Sequence, residues 1–211
     1  INLSGGDNTS KITAAGNRNN INISDGSKNH NEVIFLGERN TVDISGGTDN
    51  RGSITADLGS NIVNISNGTN HTAIDMGATS GVGNNIFTVT GGQTSSIINA
   101  EGSKNKYIHN AGTITNSSVI TLATDSGERD TEVTIYGTAQ MDGTIDALDG
   151  VITVYGTGSN ITGDITARNP GANTEWYLSG GNFSAGSHLI SDAALGATNT
   201  FVISKDANFV N

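Results

Sequence analysis

Ile21-Asn22-Ile23-Ser24-Asp25-Gly26 and Val42-Asp43-Ile44-Ser45-Gly46-Gly47 are two copies of one six-residue phrase: apolar, polar, apolar, Ser or Thr, any residue, Gly. Ile1-Asn2-Leu3-Ser4-Gly5-Gly6, Val63-Asn64-Ile65-Ser66-Asn67-Gly68 and Phe87-Thr88-Val89-Thr90-Gly91-Gly92 repeat it. Looser copies start at Tyr107, Val133, Ile152, Trp176 and Phe201. Successive starts lie 20, 21, 21, 24, 20, 26, 19, 24 and 25 residues apart. A period this regular marks a repeat architecture, in which each unit buries its apolar edge by stacking on its neighbours.

Inside the phrase, apolar and polar residues alternate with period two. That pattern puts Ile21 and Ile23 on one face of a short strand and Asn22 on the other. The closing Gly permits a sharp corner. A second short apolar element follows eleven to fourteen residues later, at Ile12, Ile34, Ile54, Ile74, Ile98, Ile120, Ile145, Ile165 and Ile190. Two residues before the next phrase stands Asn19, Asn40, Asn61, Asn85 or Asn105, and Asn199 precedes the last one. Asn tolerates left-handed backbone and bonds locally, so these positions read as a recurrent turn; stacked in register they could also form an amide ladder.

Short strands joined by corners, at this period, predict an all-β chain folded as a right-handed parallel β-helix, a solenoid of about ten coils of 19–26 residues. A left-handed β-helix keeps a tighter hexapeptide rhythm. A β-sandwich would not carry one phrase at near-constant period. With coils about 4.8 Å apart the rod is about 45 Å long. The core should hold Ile1, Leu3, Ile21, Ile23, Val42, Ile44, Val63, Ile65, Phe87 and Val89. We expect a single domain over 1–211, with tighter Asn-rich coils through 106 and longer coils over 107–211. Tyr136 and Tyr155 fall at equivalent positions and should stack on the exterior, where an aromatic pair stabilises a sheet or meets a sugar.

Composition suits a thin core. Apolar residues are 34% and aromatics 5%, with 29 Gly and no Cys. The recurrent Ile and Val argue against disorder. Twenty acids against 10 Lys and Arg give a formal charge of −10, which repels nucleic acid and anionic lipid. No apolar stretch reaches membrane-spanning length. Both Ile1 and Phe201 open copies of the phrase, so the chain reads as a piece of a longer protein.

Chemistry-bearing clusters are sparse. Asp125, Glu128, Asp130 and Glu132 crowd one connection beside Arg129, followed by Asp142, Asp146 and Asp149, with Asp164 one coil later. The default reading is a solvated acidic loop; calcium binding or a polysaccharide-acting carboxylate site near 125–149 are the functional alternatives. Gly156-Thr157-Gly158-Ser159-Asn160 lacks the Asp and tandem copies of a calcium-binding nonapeptide. No Gly-rich turn ends as a phosphate loop does. His30, His71, His109 and His188 lie in different coils without metal-ligand spacing. No Ser–His–Asp set stands out among so many Ser and Asp. We therefore expect no catalytic centre, metal or cofactor.

Val151-Ile152-Thr153-Val154-Tyr155-Gly156-Thr157-Gly158-Ser159-Asn160-Ile161-Thr162-Gly163-Asp164-Ile165, within a Cys-free, acidic, Gly/Asn/Thr-rich chain, resembles the passenger domains of Gram-negative autotransporters (type Va secretion). Filamentous-haemagglutinin-like secreted proteins share the style. No Gly-Asp-Ser-Gly sequence of the protease-type passengers is found. The resemblance implies a bacterial cell-surface or secreted location, and adhesion or self-association. It assigns no residue. From stacking alone, the outward polar residues Asn2, Asn22, Asp43, Asn64 and Thr88 form a row that is either the candidate self-association face or a merely solvated sheet face of a structural stalk. Its partners would be sister copies on neighbouring cells, a host glycan or a matrix protein.

Overall fold

The structure is a computed structural model that describes residues 1–77, 83–100, 102, 104–122, 131–147, 150–167, 174–184, 186–191 and 199–210. Every described regular element is a β-strand. The phrase strands form one parallel sheet with the order Asn2–Ser4, Asn20–Ser24, Thr41–Ile44, Ile62–Asn70, Ile86–Thr94, Lys106–Ile114, Glu132–Met141, Gly150–Ile161, Thr174–Phe183 and Asn199–Ile203. The second elements form a parallel sheet of their own, running from Ile12–Ala14 to Leu189–Ser191. Chain order and sheet order coincide in both, which is what a β-solenoid requires.

Register follows the sequence phrase. Ile21 stands opposite Val42, Val42 opposite Val63, Val63 opposite Phe87 and Phe87 opposite Tyr107. Tyr107, Val133, Ile152, Trp176 and Phe201 continue the line. The loose copies are therefore structural equivalents of the strict ones. Ile21, Ile23, Val42, Ile44, Val63, Ile65, Phe87 and Val89 are all buried. Ile1 and Leu3, expected in the core, are not: Ile1 is 58% exposed and Leu3 half-buried, because the first strand of a stack has a neighbour on one side only.

Two second-element positions need correction. Ile12 pairs with Val33, and Ile165 pairs with Leu189, so Val33 and Leu189 face inward where Ile34 and Ile190 were expected. Ile34 is half-buried between buried Val33 and Phe35. Two adjacent apolar residues satisfy either register of a period-two pattern, and only the neighbouring coil decides between them.

The recurrent asparagines do stack into an amide ladder, but they are not the left-handed residues of the turn. The left-handed residue is the one before each Asn: Arg18 at φ 61°, Arg39 at 59°, Ser60 at 63°, Asn84 at 51° and Lys104 at 59°. The Asn itself is turned inward. Asn40, Asn61, Asn85 and Asn105 are buried and joined coil to coil, each rung's backbone N–H donating to the next rung's Oδ1, as from Asn61 to Asn85 at 3.0 Å and Asn85 to Asn105 at 2.9 Å. Each side-chain amide also closes its own corner, as Asn19 Nδ2 does on the Gly16 carbonyl at 2.7 Å. The ladder holds the backbone in a conformation that costs about 1–2 kcal/mol for a residue with a Cβ.

A second amide ladder fills the other end of the phrase sheet. Asn8 Nδ2 donates to Asn29 Oδ1 at 2.8 Å, Asn29 to Asn50 at 2.8 Å and Asn50 to Asn70 at 2.6 Å. Asn70 then reaches Ser96 Oγ at 2.8 Å and Thr94 Oγ1 at 3.3 Å. Beyond Thr94 the in-register residues are Ile114, Met141, Ile161, Phe183 and Phe209. The interior line thus changes from amide to apolar and aromatic, ending in a Phe183–Phe209 stack with centroids 4.7 Å apart.

Candidate functional surface

The candidate self-association row is real as geometry. Asn2 stands opposite Asn22, Asn22 opposite Asp43, Asp43 opposite Asn64 and Asn64 opposite Thr88. Each lies between inward-facing residues of the phrase, so all five side chains leave the same sheet face. Asn2 is exposed and the other four are half-buried. One bond joins rungs: Asn64 Nδ2 donates to Asp43 Oδ1 at 2.8 Å. Asn2, Asn22 and Thr88 make no side-chain hydrogen bond among the described residues. The row continues into Ile108, Thr134, Thr153, Tyr177 and Val202, where it loses its amides.

Tyr136 and Tyr155 do stack outside the sheet, with ring centroids 4.9 Å apart and planes 5° from parallel. The register opposes Tyr155 with Ser179, so the pair ends after two rings. The stack packs one coil against the next.

Only part of the acidic stretch lies among the described residues, and carboxylates there make local contacts. Asp125, Glu128, Arg129, Asp130 and Asp149 lie outside the described residues. Glu132 pairs with Lys106 at 2.6 Å across adjacent coils. Asp142 accepts from Gln140 and Thr162, and Asp164 Oδ1 meets His188 Nδ1 at 2.8 Å. Among the described residues no group of three or more His, Asp or Glu is arranged to hold a metal.

The histidines part company. His109 is buried beside Tyr107 at 5.9 Å, with Nε2 against the Gly112 carbonyl at 3.1 Å. Burial lowers its pKa from 6.5 to about 4, opposed by that carbonyl. Its neutral ring is a packing element. His71, by contrast, is at the surface and meets Asp49 and Ser95. Sequence spacing did not reveal that set, because the three residues are 22 and 24 positions apart and only the coil register brings them together. The amide ladder of Asn8, Asn29, Asn50 and Asn70 was also unread, although Asn recurs there at 21, 21 and 20 residues.

No family model, curated protein or solved structure matches the chain.

Proposed function

We propose that this chain is the adhesive part of a rod displayed on a bacterial surface, and that copies associate side by side through the row Asn2, Asn22, Asp43, Asn64 and Thr88. The observation that carries this reading is the pairing of strict register with unspent hydrogen-bonding groups on Asn2, Asn22 and Thr88. A second rod presenting the same row meets donors and acceptors at a matching repeat of about 4.8 Å. Each bond contributes about 1 kcal/mol net, so one rung is weak and several in register are not. A partner recognised this way needs no apolar patch, which suits a strongly acidic surface. The resemblance to autotransporter passengers supports the location; neither the fold nor the charge names a host receptor.

The reading is tested with beads that carry only this chain. They are expected to clump, and soluble chain in excess should disperse them. Beads that stay dispersed at all chain densities would leave the rod as a passive stalk.

A further inference from the structure

Six or seven residues beyond the polar row in each coil, past the corner, Asp49, His71 and Ser95 come from three successive coils into one line of contacts. The interior beneath them is hydrogen-bonded from coil to coil. Asn50, Asn70 and Thr94 are in-register rungs of the second ladder, and each is the chain neighbour of one of these residues. The backbone repeats the constraint: His71 N–H donates to the Asn50 carbonyl at 2.9 Å and Ser95 N–H to the Asn70 carbonyl at 3.0 Å.

Arg51 orients the carboxylate. Its Nε and Nη2 both reach Asp49 Oδ2 at 2.9 Å. The other oxygen, Oδ1, is closed to water and makes no hydrogen bond, and His71 Nε2 lies 3.3 Å from it. On the opposite side of the imidazole, Nδ1 is 3.3 Å from Ser95 Oγ. The Arg51 hydrogen bond, followed by the charges of Arg51, His71 and Lys28, holds the Asp49 carboxyl below its ordinary range against the opposing effect of burial. The carboxylate faces the Nε2 edge of the ring, and a lone pair on Nδ1, in the tautomer with its proton on Nε2, faces the Ser95 hydroxyl.

We propose that Ser95 is an activated nucleophile for acyl transfer, with His71 as its general base and Asp49 as the carboxylate that stabilises the ring once it is protonated. A hydroxyl within reach of an imidazole base, with a carboxylate beside the far edge of the base, lowers the cost of moving the hydroxyl proton to the ring. Ser95 Oγ attacks the acyl carbon of an ester and gives its proton to His71 Nδ1. The bond from acyl carbon to alcohol oxygen breaks, and the alcohol leaves with that proton. Water then attacks the acyl-serine, again losing a proton through His71, and releases the carboxylic acid with Ser95 restored. His71 is exposed and Ser95 half-buried, an open setting that suits a short acyl group. Gln93 is exposed on the same side of the chain two residues before Ser95, and Arg51 is largely exposed. Both favour a polar alcohol, which makes acetyl esters of extended polyols or polysaccharides the fitting substrate class. The inference is independent of the adhesive row.

The test is labelling of the intact chain with an alkyl fluorophosphonate, whose fluoride the serine oxygen displaces. Peptide mass spectrometry should find the adduct on Ser95, reduced about tenfold or more in His71→Gln. Hydrolysis of p-nitrophenyl acetate should fall to background in Ser95→Ala, with an unchanged far-UV spectrum. Failure of the wild-type chain to label, labelling spread evenly over other serines, or equal hydrolysis by Ser95→Ala would each overturn the assignment.

Discussion

Asn40 donates both its backbone N–H and its side-chain Nδ2–H to a single atom, Oδ1 of Asn61 in the next coil, at 3.1 and 3.2 Å. Asn61 in turn donates to the Leu58 carbonyl and to Asn85, so one side chain satisfies two coils and its own corner. These polar rungs run beside the buried Ile and Val lines from coil to coil.

Asn61→Ala removes the acceptor for Asn40 and the donor for Leu58 in a buried corner. We expect a loss of about 2–4 kcal/mol in urea unfolding, since unmade buried hydrogen bonds cost about 1–3 kcal/mol each. A loss below about 0.5 kcal/mol, the range of surface substitutions, would show that the ladder is decorative.

Neighbouring residues of one phrase should respond in opposite ways. Ile23 is fully buried, and Ile23→Ala is expected to cost about 2–5 kcal/mol. Asn22→Ala, one residue away on the other face, should change stability by about 0.5 kcal/mol or less. A reversed order would mean the strand register is shifted by one.

His109 gives the chain a pH dependence of known sign. Its folded pKa of about 4 lies below the ordinary 6.5, so the unfolded chain binds the extra proton between those values. Stability therefore declines as pH falls from 6.5 toward 4 and the contribution levels off below that. The full difference is worth about 3 kcal/mol at 1.36 kcal/mol per pH unit. His109→Phe should lack this component when the two stability–pH curves are subtracted, whereas parallel curves would refute the assignment.

The Tyr136–Tyr155 stack should be worth about 0.5–1.5 kcal/mol beyond area, read as the coupling energy of a double-mutant cycle with Ala at both positions. Zero coupling would mean the rings are neighbours without interaction.

Much of this arrangement was legible in the sequence. The phrase Ile-Asn-Ile-Ser-x-Gly set the strand, its inward and outward faces and the stacking period, and the outward row from Asn2 to Thr88 followed from it. Positions with two adjacent apolar residues, Val33-Ile34 and Leu189-Ile190, were ambiguous because period-two patterning does not choose between them. For Asn40 and Asn61 the sequence left a turn residue and an amide ladder both open, since a buried amide and a turn amide look alike until their coil neighbours are known. Asp49, His71 and Ser95 were illegible for a related reason: coil lengths of 21 and 24 residues shift equivalent positions by differing amounts.

The adhesive row is tested most directly by sedimentation velocity across a wide concentration range, comparing the wild-type chain with Asn22→Glu/Thr88→Glu. Glutamates are the informative choice because lysines at Asn22 or Asn64 would sit beside Asp43 and be neutralised in place. Together with Asp43 they make a like-charged row that repels its copy. The account predicts that the wild-type sedimentation coefficient rises with concentration while the folded double variant stays at its monomer value. Equal association of the two chains, or a wild-type chain that remains monomeric throughout, would contradict it.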